Sequence, residues 1–140
     1  MPTIEVSSPA LPVPARRSVA LRLTRWFTSR GVPAGHVVVR FTTPDPGTVF
    51  SGGMPLEALP HDGEGLHHAS VTVCVGPERD EEFRSGLAEE IASALGLTPG
   101  TPFLYIEFRE TDPGHVYLGH QGRLRRASEA LAAAEGKAHR

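Results

Sequence analysis

The segment Asp45-Pro46-Gly47-Thr48-Val49-Phe50-Ser51-Gly52 recurs 67 positions later as Asp112-Pro113-Gly114-His115-Val116-Tyr117-Leu118-Gly119. The same offset pairs Ile4 with Val71, Val6 with Val73, Val39 with Ile106 and Phe41 with Phe108. A shared Asp-Pro-Gly turn alone would not carry strand residues along in the same order. The chain therefore has to fold as two copies of one supersecondary unit. Four segments rich in β-branched and aromatic residues between turn signals are predicted strands: Thr3–Ser7, His36–Thr43, Ala69–Gly76 and Phe103–Arg109. Two amphipathic helices lie between them. The first follows Pro12-Val13-Pro14 and runs to Gly31, with Val19, Leu23, Trp26 and Phe27 on one face. The second begins after Asp80, carries Phe83, Leu87, Ile91, Ala94 and Leu95 as its apolar stripe, and ends at Gly96.

Each copy is thus a βαβ unit, repeat one covering about 2–53 and repeat two about 69–120, packed as a single domain over 1–122. The expected class is α/β (α+β), a four-stranded sheet with two helices on one face. Val39, Phe41, Ile106 and Phe108 belong to the row that meets the helices. The opposite row alternates Val38 and Arg40 with Tyr105, Glu107 and Arg109. It is too apolar to face water alone, so a second copy of the chain is expected to cover it. Arg40 and Glu107 are expected to pair on that face. Residues 123–140 form a tail in which Arg123, Arg125 and Arg126 precede an Ala-rich stretch, Ala127 to Ala134, able to form a short surface helix.

Composition removes several classes. Of 140 residues, 14 are basic and 16 acidic, so the net charge of −2 gives no general attraction to nucleic acid or an anionic membrane. One cysteine, Cys74, excludes an internal disulfide framework and a thiolate metal cluster, and its alternation with Val73 and Val75 predicts a core position. Seven histidines show no metal-ligand spacing, and Ser51-Gly52-Gly53 lacks a phosphate-loop lysine, so neither metal nor cofactor is expected. No apolar run approaches the roughly 20 residues of a membrane span, and a cytoplasmic location is expected. The Pro- and Gly-rich loop from Pro44 to His68 is long enough to shape a pocket mouth.

The chain opens Met1-Pro2-Thr3-Ile4-Glu5-Val6. Removal of the initiator methionine would leave Pro2 with a free secondary amine at the head of a buried strand. An α-amino group titrates at about 7.7–8.0, and apolar surroundings lower that value toward the range a general acid–base needs. Proline after the initiator, a βαβ unit, Val49-Phe50-Ser51-Gly52-Gly53 and a second βαβ unit together resemble the tautomerase superfamily, from Pro2 to about Gly122. The duplicated members include macrophage migration inhibitory factor (MIF)-like and cis-3-chloroacrylic acid dehalogenase-like proteins.

The resemblance implies a homotrimer with sites between subunits, a small carbonyl or carboxylate substrate, and Pro2 as catalytic residue. It also implies pocket roles for Tyr105 (from a neighbouring subunit), Glu107, Val75 and Val116. Val32 stands where migration-inhibitory-factor-like members begin the segment carrying a substrate-binding lysine. Arg79 could match a substrate-binding arginine of the dehalogenase-like group, but Trp26 or Phe27 stands near that group's histidine, which argues against dehalogenation. Chemistry independently requires a cation for a substrate carboxylate, for which Arg79, Arg40 and Arg109 are candidates. The expected function is a cofactor-free tautomerase or isomerase acting on an enolisable 2-oxo acid or related carbonyl compound. A non-catalytic trimeric binding protein of the same fold and a proline-dependent hydratase or decarboxylase are the alternatives.

Overall fold

The computed structural model describes residues 2–129. In chain order its elements are β1 (Thr3–Ser7), α1 (Val13–Thr28), β2 (Val38–Thr42), β3 (Phe50–Ser51), β4 (Met54–Pro55), β5 (His68–Val75), α2 (Glu81–Leu95), β6 (Phe103–Glu110), β7 (Tyr117–His120) and β8 (Arg123–Arg126). Four strands form one sheet in the order β2-β1-β5-β6, and the hairpins β3–β4 and β7–β8 stand apart from it.

The repeat is visible in the register. Within each copy the strands flanking the helix run parallel, Ile4 lying opposite Val39 and Val71 opposite Ile106. The copies join through antiparallel β1 and β5, where Ile4 meets Val73, Val6 meets Val71, and Glu5 faces Thr72. Residues 5 and 72 are equivalent under the 67-residue offset, so a pseudo-twofold axis passes through that pair.

One sheet face carries Ile4, Val6, Ala69, Val71, Val73 and Val75, all buried against Val19, Leu23 and Phe27 of α1 and Leu87 and Ile91 of α2. The other face carries Thr3, Glu5, Ser70, Thr72 and Cys74 beside Arg40, Tyr105 and Arg109. Cys74 is half-buried on this open face rather than in the core. The strand's alternation, which buries Val73 and Val75, turns position 74 the other way.

The pairing of Arg40 with Glu107 is corrected. Their strands lie on opposite edges of the sheet, with β1 and β5 between them. Arg40 instead binds Glu5 at 3.0 Å, and Glu107 binds Arg109 at 2.7 Å and accepts from the Tyr105 hydroxyl at 3.1 Å. These two hydrogen bonds, led by that from Arg109, hold the Glu107 carboxyl below its ordinary range.

Helix boundaries follow local chemistry. Asp80 caps α2 by accepting from Phe83 N–H at 2.9 Å, and Gly96 closes it at φ 87°. Helix α1 ends at Thr28, three residues before the expected stop; Gly31, at φ 85°, turns the chain so that Val32 N–H reaches back to Phe27 O. Arg123, Arg125 and Arg126 do not open a tail but form β8, paired with β7 across Gln121 and Gly122 at φ 51° and 74°. Residues 127–129 are helical, and the rest of the Ala-rich stretch lies outside the described residues. No helix among the described residues is long and apolar enough to cross a membrane.

Candidate active site

Pro2 is buried at the end of the sheet, immediately before β1. Its carbonyl accepts from Val38 N–H at 3.1 Å, which fixes it against the head of β2. On the other side, the antiparallel register carries Pro2 to the C-terminal end of β5. The two meet in a crevice lined by Pro2, Phe27, Val75, Gly76, Glu78 and Arg79. Its volume is about 10 Å³, room for about one water molecule. Val75, Gly76 and Arg79 also line an adjoining cleft of about 190 Å³, where Arg84, Phe108, Arg109 and Glu110 join them.

The segment presenting Arg79 is held from several sides. Its N–H donates to Gly76 O at 3.3 Å, and its carbonyl accepts from Arg84 Nη1 at 2.7 Å. The next residue is the Asp80 helix cap. The Arg79 guanidinium lies 4.5 Å from the Phe83 ring centre, and Phe83 packs edge-on against Trp26 at 5.0 Å. Arg79 is only loosely tied to a carboxylate, at 3.6 Å from Glu78. A guanidinium stacked on an aromatic ring and spared a tight ion pair keeps donors for an incoming anion.

Three expected site residues, Pro2, Val75 and Arg79, therefore meet within one chain, and Arg109 stands at the margin with its guanidinium bound to Glu107. Tyr105 does not join them. It lies opposite Ser70, whereas Val75 lies opposite Glu110. Five residues of strand, roughly 16 Å, separate these positions. Tyr105 is half-exposed on the open face with Glu107, and Arg40 lies there too. Val116 stands at the foot of β7, its carbonyl accepting from Ala127 N–H at 2.8 Å. Val32 is buried in the core and offers the crevice no cation.

Sequence reasoning passed over Glu78 and Arg84, the carboxylate and second guanidinium nearest Arg79. The run Glu78-Arg79-Asp80 before a capped helix was the available signal. The long loop ending at His68 lines neither the crevice nor the adjoining cleft. It folds on itself as β3–β4 and a single turn over Leu56–Ala58, burying Leu56 and Leu66. Among the described residues, no group of three or more His, Cys, Asp and Glu side chains is arranged to hold a metal ion.

No family model matches the chain, and no curated protein matches it. Solved structures do. N1, a member of the cis-3-chloroacrylic acid dehalogenase family, is 22% identical over 99% of both chains with a TM-score of 0.64. A fused 4-OT forming an asymmetric trimer is 20% identical over 91% of this chain and 98% of its own, with a TM-score of 0.61. Pt0534, solved after inactivation by 2-oxo-3-pentynoate, is 18% identical over 92% of this chain and 97% of its own, with a TM-score of 0.62. The chain shares the fold of these tautomerase-superfamily structures.

Proposed function

We propose that the chain is a cofactor-free tautomerase or isomerase of the superfamily whose fold it shares, acting as a homotrimer with Pro2 as its general acid–base. The observation that carries this reading is the burial of Pro2 in one crevice with Arg79, beside a cleft rich in guanidinium groups. Once Met1 is removed, the Pro2 nitrogen is a secondary amine. With its surroundings of Phe27 and Val75, desolvation disfavours the ammonium and brings its titration nearer neutrality.

An enolisable 2-oxo acid fits this set. Its carboxylate is held by Arg79 in two parallel bonds. The Pro2 nitrogen takes the enol hydroxyl proton, the carbonyl forms as the π electrons move to carbon, and the resulting ammonium returns the proton to that carbon. One O–H bond breaks, one C–H bond forms, and nothing else is consumed. Charge on the oxygen during transfer is met by a guanidinium of the adjoining cleft or by the Tyr105 hydroxyl of a neighbouring subunit. The small crevice and the distance of Tyr105 from Pro2 within one chain both support a site completed by a second copy. The trimeric fused 4-OT supports the number three. Phe27, a hydrocarbon side chain facing Pro2, weighs against reactions that need an imidazole there.

Covalent labelling tests the reading. An electrophilic acetylenic 2-oxo acid such as 2-oxo-3-pentynoate, which inactivates Pt0534, is expected to add once per chain, at the Pro2 nitrogen. Peptide mass mapping that finds the adduct elsewhere, or finds none, contradicts a reactive Pro2 amine.

A further inference from the structure

The loop from Pro44 to His68, which the crevice at Pro2 leaves unused, closes over a column of three imidazoles. His61 and His67 stack with ring centres 4.9 Å apart and planes 22° apart, and His68 meets His67 edge-on at 5.1 Å. Register explains why His68 needs a cover. It lies opposite Phe103 at the start of β5, and strand alternation puts it on the open face with Ser70, Thr72 and Cys74. Those three are half-buried, whereas His68 is only 5% exposed beneath the ring of His67. Main-chain carbonyls fix the column: His61 Nε2 donates to Glu64 O at 2.9 Å, and His67 Nε2 to Leu59 O at 2.8 Å. A carbonyl only accepts, so each Nε2 carries the proton of the neutral ring, and a second proton has to enter at Nδ1. His68 Nδ1 is buried and has no hydrogen-bond partner among the described residues. The next stretch of chain is anchored without titratable groups. Leu66 N–H donates to Gly96 O at 2.8 Å, and Thr101 Oγ1 donates to Leu66 O at 2.6 Å.

We propose that the segment 59–64 is an acid-released flap: the neutral column holds it over the end of the open sheet face, and the protonated column parts and bares His68. The direction follows from the charges around the rings. Asp62 stands 3.6 Å from His61 Nε2, the Glu64 carboxylate is exposed, and Glu57, on the turn Leu56–Ala58, favours charged His68. β6 presents Phe103 and Tyr105, and the connection from α2 to β6 presents Thr98 and Thr101, none of them a cation or carboxylate. Opposing Glu57 are burial, which is the larger effect, and then His67, and together they hold His68 below the ordinary 6.5. Once lifted, the flap leaves His68 hydrated and able to take its proton at a higher pH, so acid favours the lifted state. The column is complete above about 6.5 and opens as pH falls from there through the lowered value. Two charged imidazoles at these separations also repel each other. The flap lies at the opposite end of β5 from Val75 and Pro2, and it does not depend on Pro2 being reactive.

Nuclear magnetic resonance of the full-length protein with labelled histidine tests this. At pH 7.5, Overhauser contacts should join the rings of His61 and His67 and those of His67 and His68. At pH 5 both are expected to weaken about ten-fold, since imidazoles charge in that interval. Amide order parameters of residues 59–64 should drop with them while those of α1 hold. In His68→Phe, which keeps a ring without a titrating nitrogen, the contact between His61 and His67 should persist at pH 5. Contacts of equal strength at the two pH values overturn the proposal, a result the wild type gives even where the variant does not fold. Loss of order that extends to α1 overturns it as well, because the whole chain is then unfolding. An equal loss in folded His68→Phe does so too.

Discussion

Arg79 is the residue whose surroundings fit a substrate-holding role best. Its guanidinium stacks on Phe83, and its nearest carboxylate is 3.6 Å away. Arg79→Gln is expected to raise KM at least ten-fold with a smaller change in kcat, because the lost bonds hold ground state and transition state alike. Arg79→Lys should recover only part of that loss, since an ammonium cannot reproduce the planar fork. Steady-state kinetics on both variants checks this. The residues meeting at Pro2 were partly legible beforehand: Pro2 and Val75 end adjacent strands, and Arg79 follows directly. Glu78 and Arg84 were not, because their approach depends on how the turn before α2 packs on Trp26 and Phe83. The pairing of Arg40 failed for a related reason. Alternation assigns a residue to a face, but strand order decides its neighbours, and that order is set by how the two copies dock.

Single elements link stability to the site. Asp80 caps α2 and adjoins Arg79, so Asp80→Ala should cost about 1 kcal/mol and loosen the Arg79 turn. A melting temperature lowered by roughly 2–5 °C, with a raised KM, is the expected pair of readings. β5 begins with His68, which is buried and whose Nδ1 has no hydrogen-bond partner among the described residues. Its pKa lies below the ordinary 6.5, first through burial and then through the nearby His67, with Glu57 acting in the opposite sense. The unfolded chain therefore takes up this proton at a higher pH than the folded one. The stability contribution is complete above about 6.5 and is lost as pH falls from there through the lowered value. Thermal unfolding at pH 7.5 and 5.5 should show a drop that is smaller in His68→Phe; an identical drop would show that other groups carry it. Both helices and all four sheet strands were legible from period and turn chemistry. The β7–β8 hairpin was not, because Arg123, Arg125 and Arg126 read as a charged tail and only their pairing with β7 makes them a strand.

At the scale of the whole molecule, the 67-residue repeat carries most of the architecture, and the sheet's open face carries what remains to be covered. Tyr105 stays half-exposed on that face, and Phe50, Tyr117 and, more fully, Leu124 are exposed on the hairpins beside the sheet. If three copies meet over that face, light scattering after size exclusion should give three times the 15.0-kDa chain mass. Subunit complementation adds a sharper prediction. Pro2→Ala and Tyr105→Phe chains, each impaired alone, should regain activity when unfolded together and refolded as a mixture. Some sites then combine an intact Pro2 with an intact Tyr105 from another copy. No recovery would mean that Tyr105 does not serve a neighbouring Pro2.

The central claim, that the Pro2 amine moves the proton, has a direct measurement. Wild type and Pro2→Ala, each with loss of Met1 verified by intact mass, are compared in ultraviolet-monitored ketonisation of a panel of enol 2-oxo acids. Ketonisation by the wild type that falls at least a hundred-fold in Pro2→Ala is the predicted result. Equal rates in the two proteins, or no rate above buffer in either, would contradict it.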